Sequence, residues 1–184
     1  MIIMKLKKTN ATLGIISTLI LLAHAGYQMT AYVLFIYAPM VTKVLAWGCA
    51  AAISAHAVIG MCIVMFAHDG SAALEYPMAN IRTILQRASA IGIMVLLVLH
   101  VKSFDILKSG TPGLILVEII VILFYACVFT HIATSLTNAF VTLGMLCDMD
   151  RKKKIDHTLW VVFAVLWAAA VFIIGRTYPM LAAM

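Results

Sequence analysis

Along the chain, apolar runs too long for an ordinary soluble helix alternate with short charged segments. The first run starts near Leu13, behind Lys5, Lys7 and Lys8, and reaches Ala38 ahead of Pro39. The second covers about Val44 to Ala67 and stops at His68-Asp69-Gly70. The third opens near Ile84 and fades around Lys102 and Asp105, with Gly110-Thr111-Pro112-Gly113 as a tight break behind it. The fourth runs from Leu114 to Cys147, ahead of Asp148, Asp150 and the run Arg151-Lys152-Lys153-Lys154. The last covers about Leu159 to Ile174 and ends near Arg176 and Pro179. A bilayer core takes ~20 apolar residues per spanning helix, and backbone groups inside it must bond within their own segment. The pattern therefore predicts one all-α transmembrane domain, a bundle of five helices over about 13–38, 44–67, 84–104, 114–147 and 158–176.

Composition closes off the alternatives. Of 184 residues, 65% are hydrophobic and 11% charged, with a mean hydropathy of +1.10. A soluble domain carries roughly 45–50% apolar and ~25% charged residues, and a globule this small is mostly surface. A soluble enzyme, a disordered tail and a nucleic-acid binder are excluded. The net charge of +6 needs no acidic partner, because Lys and Arg gather in loops facing the cytoplasmic leaflet. With the N-terminus inside, nine of the thirteen Lys and Arg (Lys5, Lys7, Lys8, Arg82, Arg87 and 151–154) lie on the inner face. Lys43, Lys102, Lys108 and Arg176 lie on the outer one. This predicts a multi-pass protein of a prokaryotic cytoplasmic membrane, N-terminus cytoplasmic and C-terminus outside. The fourth run, 34 residues from Leu114 to Cys147, would be ~50 Å long as one helix. That exceeds a ~30 Å core, so its inner end is expected to project as a platform for a soluble partner. Ala23-His24-Ala25-Gly26 imitates a signal-peptide cleavage site, but the apolar run continues to Tyr37, which favours a retained helix. Cys49, Cys62, Cys127 and Cys147 form no C-x-x-C pair and read as small hydrophobes.

Histidine carries the candidate chemistry. His68 and His157 sit at run edges beside charges and read as solvated interfacial residues. His24, His56, His100 and His131 lie inside four successive runs, one per helix. Any one alone could serve a helix–helix hydrogen bond. Four on separate helices ask for more, since each buried polar group is costly and needs a partner. A proton relay would include deep carboxylates, which are nearly absent. Zinc would gather its ligands at one point. Haem iron takes two axial imidazoles on opposite faces of a flat macrocycle, which two facing helices can supply. Four histidines on four helices therefore read as two bis-His b-type haems. Depth along the helices favours His56 with His131 as an inner pair and His24 with His100 as an outer one, without forcing it. Arg82, Gln86 and Arg87, at the inner start of the third helix, are placed to meet propionates of the inner haem; topological anchoring accounts equally well for the two arginines. Small residues flank the histidines (Ala23, Ala25, Gly26; Ala55, Ala57, Gly60; Cys127, Ala133, Ser135).

The run Ile81-Arg82-Thr83-Ile84-Leu85-Gln86-Arg87-Ala88-Ser89, with His100-Val101 at the far end of the same helix, resembles the third helix of a known family. That family is the dihaem, five-helix cytochrome b anchor of succinate:quinone oxidoreductases. His56-Ala57-Val58-x-Gly60 resembles its second-helix ligand, and His131 through Val141-Thr142-x-Gly144 its fourth; His24 falls near its first. The resemblance implies a membrane anchor for a flavoprotein and an iron–sulfur subunit, as in succinate dehydrogenase or fumarate reductase. It also implies the haem pairing favoured by depth, and electron exchange with a quinone, expected to be menaquinone. The chain departs from the family in having Ser135 where a glycine is usual. It also lacks an acidic residue at the outer start of the second helix, where Leu45 and Trp47 stand. Glu118, the only acid well inside a run, is the candidate for quinone proton exchange; as an alternative it would snorkel toward Lys102 or Lys108. A dihaem anchor of a hydrogenase or formate dehydrogenase shares these features and differs in its soluble head. A haem-free transporter or structural membrane protein would use its histidines for helix contacts alone.

Overall fold

The computed structural model describes residues 2–36, 38–67, 75–76, 80–108 and 114–182. They form five helices: α1 Ile2–Leu34, α2 Pro39–Ala67, α3 Ile81–Lys108, α4 Leu114–Thr142 and α5 Met149–Ala182. Each is long and apolar enough to cross a bilayer, which makes the chain a multi-pass membrane protein by length and composition. Large apolar side chains such as Leu19, Trp47, Val98, Ile115 and Phe172 stay exposed on the bundle, as they should where lipid rather than water is the outer solvent.

Local chemistry sets the helix ends. Phe35 takes a left-handed φ of 53° and the Ile36 N–H reaches back to the Ala31 carbonyl at 3.1 Å, a C-cap that closes α1 without glycine. Pro39 opens α2, where a missing N–H costs nothing. The Tyr27 hydroxyl accepts from the Ala38 N–H at 3.1 Å and so pins this turn. α4 closes on Gly144, at φ 76°, with the Met145 N–H donating to the Phe140 carbonyl at 2.9 Å and the Gly144 N–H to Val141 at 3.0 Å. Asp148 then caps α5, its Oδ1 accepting from the N–H groups of Asp150 at 2.8 Å and Arg151 at 3.3 Å.

These caps correct one expectation. α4 stops at Thr142 after 29 residues, about 44 Å, instead of running on to Cys147. The excess length belongs to α1 and α5, of 33 and 34 residues, about 50 Å each. α1 starts at Ile2 and α5 at Met149, both well ahead of their apolar runs, because Lys and Arg are good helix formers and propagate a helix already held by the membrane. His68 and the break at 110–113 lie outside the described residues, as do the side chains of Asp105 and Lys108.

The most extensive packing joins α1 to α2, α3 to α4 and α4 to α5, and α1 also lies along α4. Neither α1 with α3 nor α2 with α4 makes an extensive backbone contact. α2 likewise makes no extensive contact with α3, and α5 packs mainly on α4 with lesser contacts to α1 and α3. α4 is the most buried element: Val117, Val121, Val128, Ala133, Thr134 and Thr137 are at most 2% exposed. One apolar cluster joins Phe124, Val128, Phe129 and Ile132 to Phe163; a second joins Val117 and Val121 to Ala170, Ile174 and Tyr178. At Gly92 a Cβ would stand 2.6 Å from Cys127 Sγ, so glycine is what lets α3 and α4 approach here.

Candidate functional site

The helix pairs whose histidines were expected to meet, α2 with α4 and α1 with α3, do not pack closely backbone to backbone. His56 on α2 and His131 on α4 face each other, ring centroids 6.3 Å apart and planes at 70°. A metal–imidazole bond of ~2.0–2.1 Å plus roughly 1.1 Å from nitrogen to ring centre, doubled, gives about 6.4 Å across one shared metal atom. The observed centroid spacing would accommodate one ion between the two rings.

The hydrogen bonds of the two rings are alike. His56 Nδ1 lies 3.1 Å from the Asn10 carbonyl oxygen on α1, and His131 Nδ1 lies 3.0 Å from the Gln86 carbonyl oxygen on α3. A carbonyl only accepts, so Nδ1 carries the proton in both rings and Nε2 keeps its lone pair. That is the tautomer a metal-binding imidazole needs, held by the kind of outer partner such ligands usually have. Each ring is also backed by its neighbouring helix. On α1, a Cβ at Gly14 would stand 3.0 Å from His56 Cε1, so the absence of a side chain there lets the ring come close to α1. On α3, the buried Ser89 hydroxyl donates to the same Gln86 carbonyl at 3.0 Å and stands 3.4 Å from His131 Nδ1.

His24 stands on α1 and His100 on α3, the two helices expected to hold the second pair. His100 stacks on Phe124 of α4, centroids 4.9 Å apart and planes at 15°. His24 Nδ1 is buried and finds no hydrogen-bond partner among the described residues. Neither pair belongs to a compact metal shell: among the described residues no three His, Cys, Asp or Glu side chains converge on one point. The arrangement suits two separate two-histidine sites rather than one tetrahedral centre.

Arg82 sits otherwise than expected. Its Nη1 and Nη2 donate to the two carboxylate oxygens of Asp156 on α5 at 2.6 and 2.8 Å. Nη2 also reaches Thr137 Oγ1 at 2.6 Å, and Nε donates to the Thr134 carbonyl at 2.8 Å. Thr137 in turn donates to Asp156. Most of the guanidinium donors are thus committed to protein, and a propionate would have to share them. Gln86 contributes its carbonyl to His131, and Arg87 is half-buried next to it. Glu118 is half-buried one turn into α4, within electrostatic range of Tyr178, whose buried ring meets Tyr32 edge-on at 5.8 Å.

Sequence reasoning missed Asn10, Gly14 and Asp156. The first two act through main chain or through the lack of a side chain, and neither leaves a residue-type signal. Asp156 had one: an arginine at a membrane edge invites a carboxylate, and Asp156 is the acid nearest the start of the last apolar run. No protein-family model, curated protein or solved structure matches this chain.

Proposed function

We propose that the chain is a dihaem cytochrome b anchor that relays electrons between a membrane quinone and a cytoplasmic succinate dehydrogenase or fumarate reductase head. One observation carries the reading: His56 and His131 meet at the spacing of two ligands on one ion, each with Nδ1 tied to a carbonyl and Nε2 left as the ligating atom. Bound between such rings, a haem supplies one-electron transfer without changing its ligands. The protein's part is to hold the rings and to keep water out.

In this reading His56 and His131 hold the inner haem and His24 and His100 the outer one. The inner face is the cytoplasmic face, as the count of Lys and Arg requires. The N-terminal turns of α1 and α5 then project beyond the bilayer and present Lys5, Lys7, Lys8 and 151–154 toward the flavoprotein and iron–sulfur subunits. At the opposite end Glu118 exchanges the quinone's proton. The resemblance of the Leu85-Gln86-Arg87-x-Ser89 segment to the family's third helix supports the choice of head.

A redox difference spectrum with haem quantification tests the core of this reading. About two low-spin b haems per chain are expected; a colourless protein, made with ample haem supplied during expression, ends it. Co-purification tests the partner: a head carrying flavin supports the choice, and one carrying nickel or molybdenum overturns it. Glu118→Gln should slow quinone turnover while both haem spectra stay unchanged; unaltered turnover would make Glu118 structural.

A further inference from the structure

The ion pair between Arg82 and Asp156 lies outside the histidine pairs, yet it is wired to one of them. Arg82 stands four residues, about one turn, before Gln86, whose carbonyl holds His131 Nδ1. Arg82 also grips α4 just past the same histidine, through the Thr134 carbonyl. Thr134 itself bonds back, its hydroxyl donating to the carbonyls of His131 and Thr130 at 3.0 and 2.8 Å. One guanidinium thus ties together the helix that fixes the His131 tautomer, the helix that carries His131, and α5. The side chains of Arg82 and Asp156 are 31% and 19% exposed, so their charges are screened far less than surface charges would be. Lys152 adds a further cation near Asp156.

Resting on the proposed haem between His56 and His131, we infer that the two charges of the Arg82–Asp156 pair act on the reduction potential of the inner centre in opposite directions and leave the outer centre alone. Reduction adds one negative charge between the two rings. A cation on this side of the pair favours that state and an anion beside it opposes it; paired, the two largely offset each other. Asp156 is therefore a counter-charge, and Arg82 a positioning residue that delivers this balance to the pair. The same pair explains why Arg82 bonds to protein: a free arginine at this depth would pull the inner potential up.

An anaerobic optical redox titration of the purified complex tests this. Asp156→Asn keeps the shape of the side chain and removes its charge. The inner transition should move to more positive potential by about tenfold in its one-electron equilibrium constant, or ~59 mV. Arg82→Gln should move it the other way. The double variant Arg82→Gln/Asp156→Asn should return toward wild type, and the outer transition should stay in place throughout. Arg82→Lys retains both charges and should stay near wild type. A purely structural ion pair predicts shifts of the same sign in both single variants, and that result, or no shift, overturns the inference while leaving the haem reading intact. Absence of any haem transition removes both. Should Asp156→Asn fail to accumulate, Lys152→Gln is the fallback. It lowers the local positive charge on the helix surface and should move the inner transition negative; an unmoved transition there counts against the inference.

Discussion

The two histidine pairs differ in how firmly the fold holds them. At the inner pair both rings are locked from behind: main-chain carbonyls on α1 and α3 take the Nδ1 protons, Gly14 lets the His56 ring come close to α1, and Ser89 shares the Gln86 carbonyl. At the outer pair His100 is held by stacking on Phe124, and His24 Nδ1 has no hydrogen-bond partner among the described residues. A carbonyl acceptor fixes a ring's tautomer as well as its plane, and His24 Nδ1 has none among the described residues. The inner site is thus pre-organised by protein, and the outer one leaves more to whatever binds there.

The sharpest way to break this contrast is to delete one ligand at a time. His131→Ala should remove about half of the haem and leave a bis-His spectrum from the outer pair; His24→Ala should do the converse. Loss of both haems from either change would mean that the two sites form one unit. Next in size is ligand exchange. Outer partners of metal-bound histidine are typically worth 10–100-fold in affinity, so carbon monoxide added to the reduced protein should attack the outer centre first, as read from difference spectra. Attack on the inner centre first would reverse the ranking. Gly14→Ala should be milder. Its Cβ would press on His56 Cε1 at 3.0 Å, costing about 1–3 kcal/mol of local packing, seen as reduced inner haem content with the outer haem intact. Ser89→Ala should do least. The Gln86 carbonyl still takes the His131 proton, and a loss of under about 1 kcal/mol in thermal stability in detergent is expected.

Much of this architecture could be read from the chain because bilayer physics writes it in large letters. Five apolar runs became five helices, and of the histidines placed one per run His56 and His131 came to face each other. What stayed hidden has physical causes. The extent of α1 and α5 was underestimated because Lys5–Lys8 and 151–154 interrupt hydrophobicity without interrupting helix propensity. The early end of α4 depends on the left-handed Gly144, which looks like any other glycine in an apolar run. The bond of Arg82 to Asp156 could not be read because the two lie 74 positions apart, and only the packing of α5 on α4 brings them together.

The acceptors that orient His56 and His131 are peptide oxygens in the N-terminal turns of helices, and every residue type possesses one. Codon changes at positions 10 and 86 can therefore swap Asn or Gln for almost any good helix former without untying either imidazole. Position 14 has no such latitude. A saturation library over the three positions would show broad tolerance at two and near-silence at the third, a fingerprint by which this mode of ring fixation can be recognised in genetic data alone.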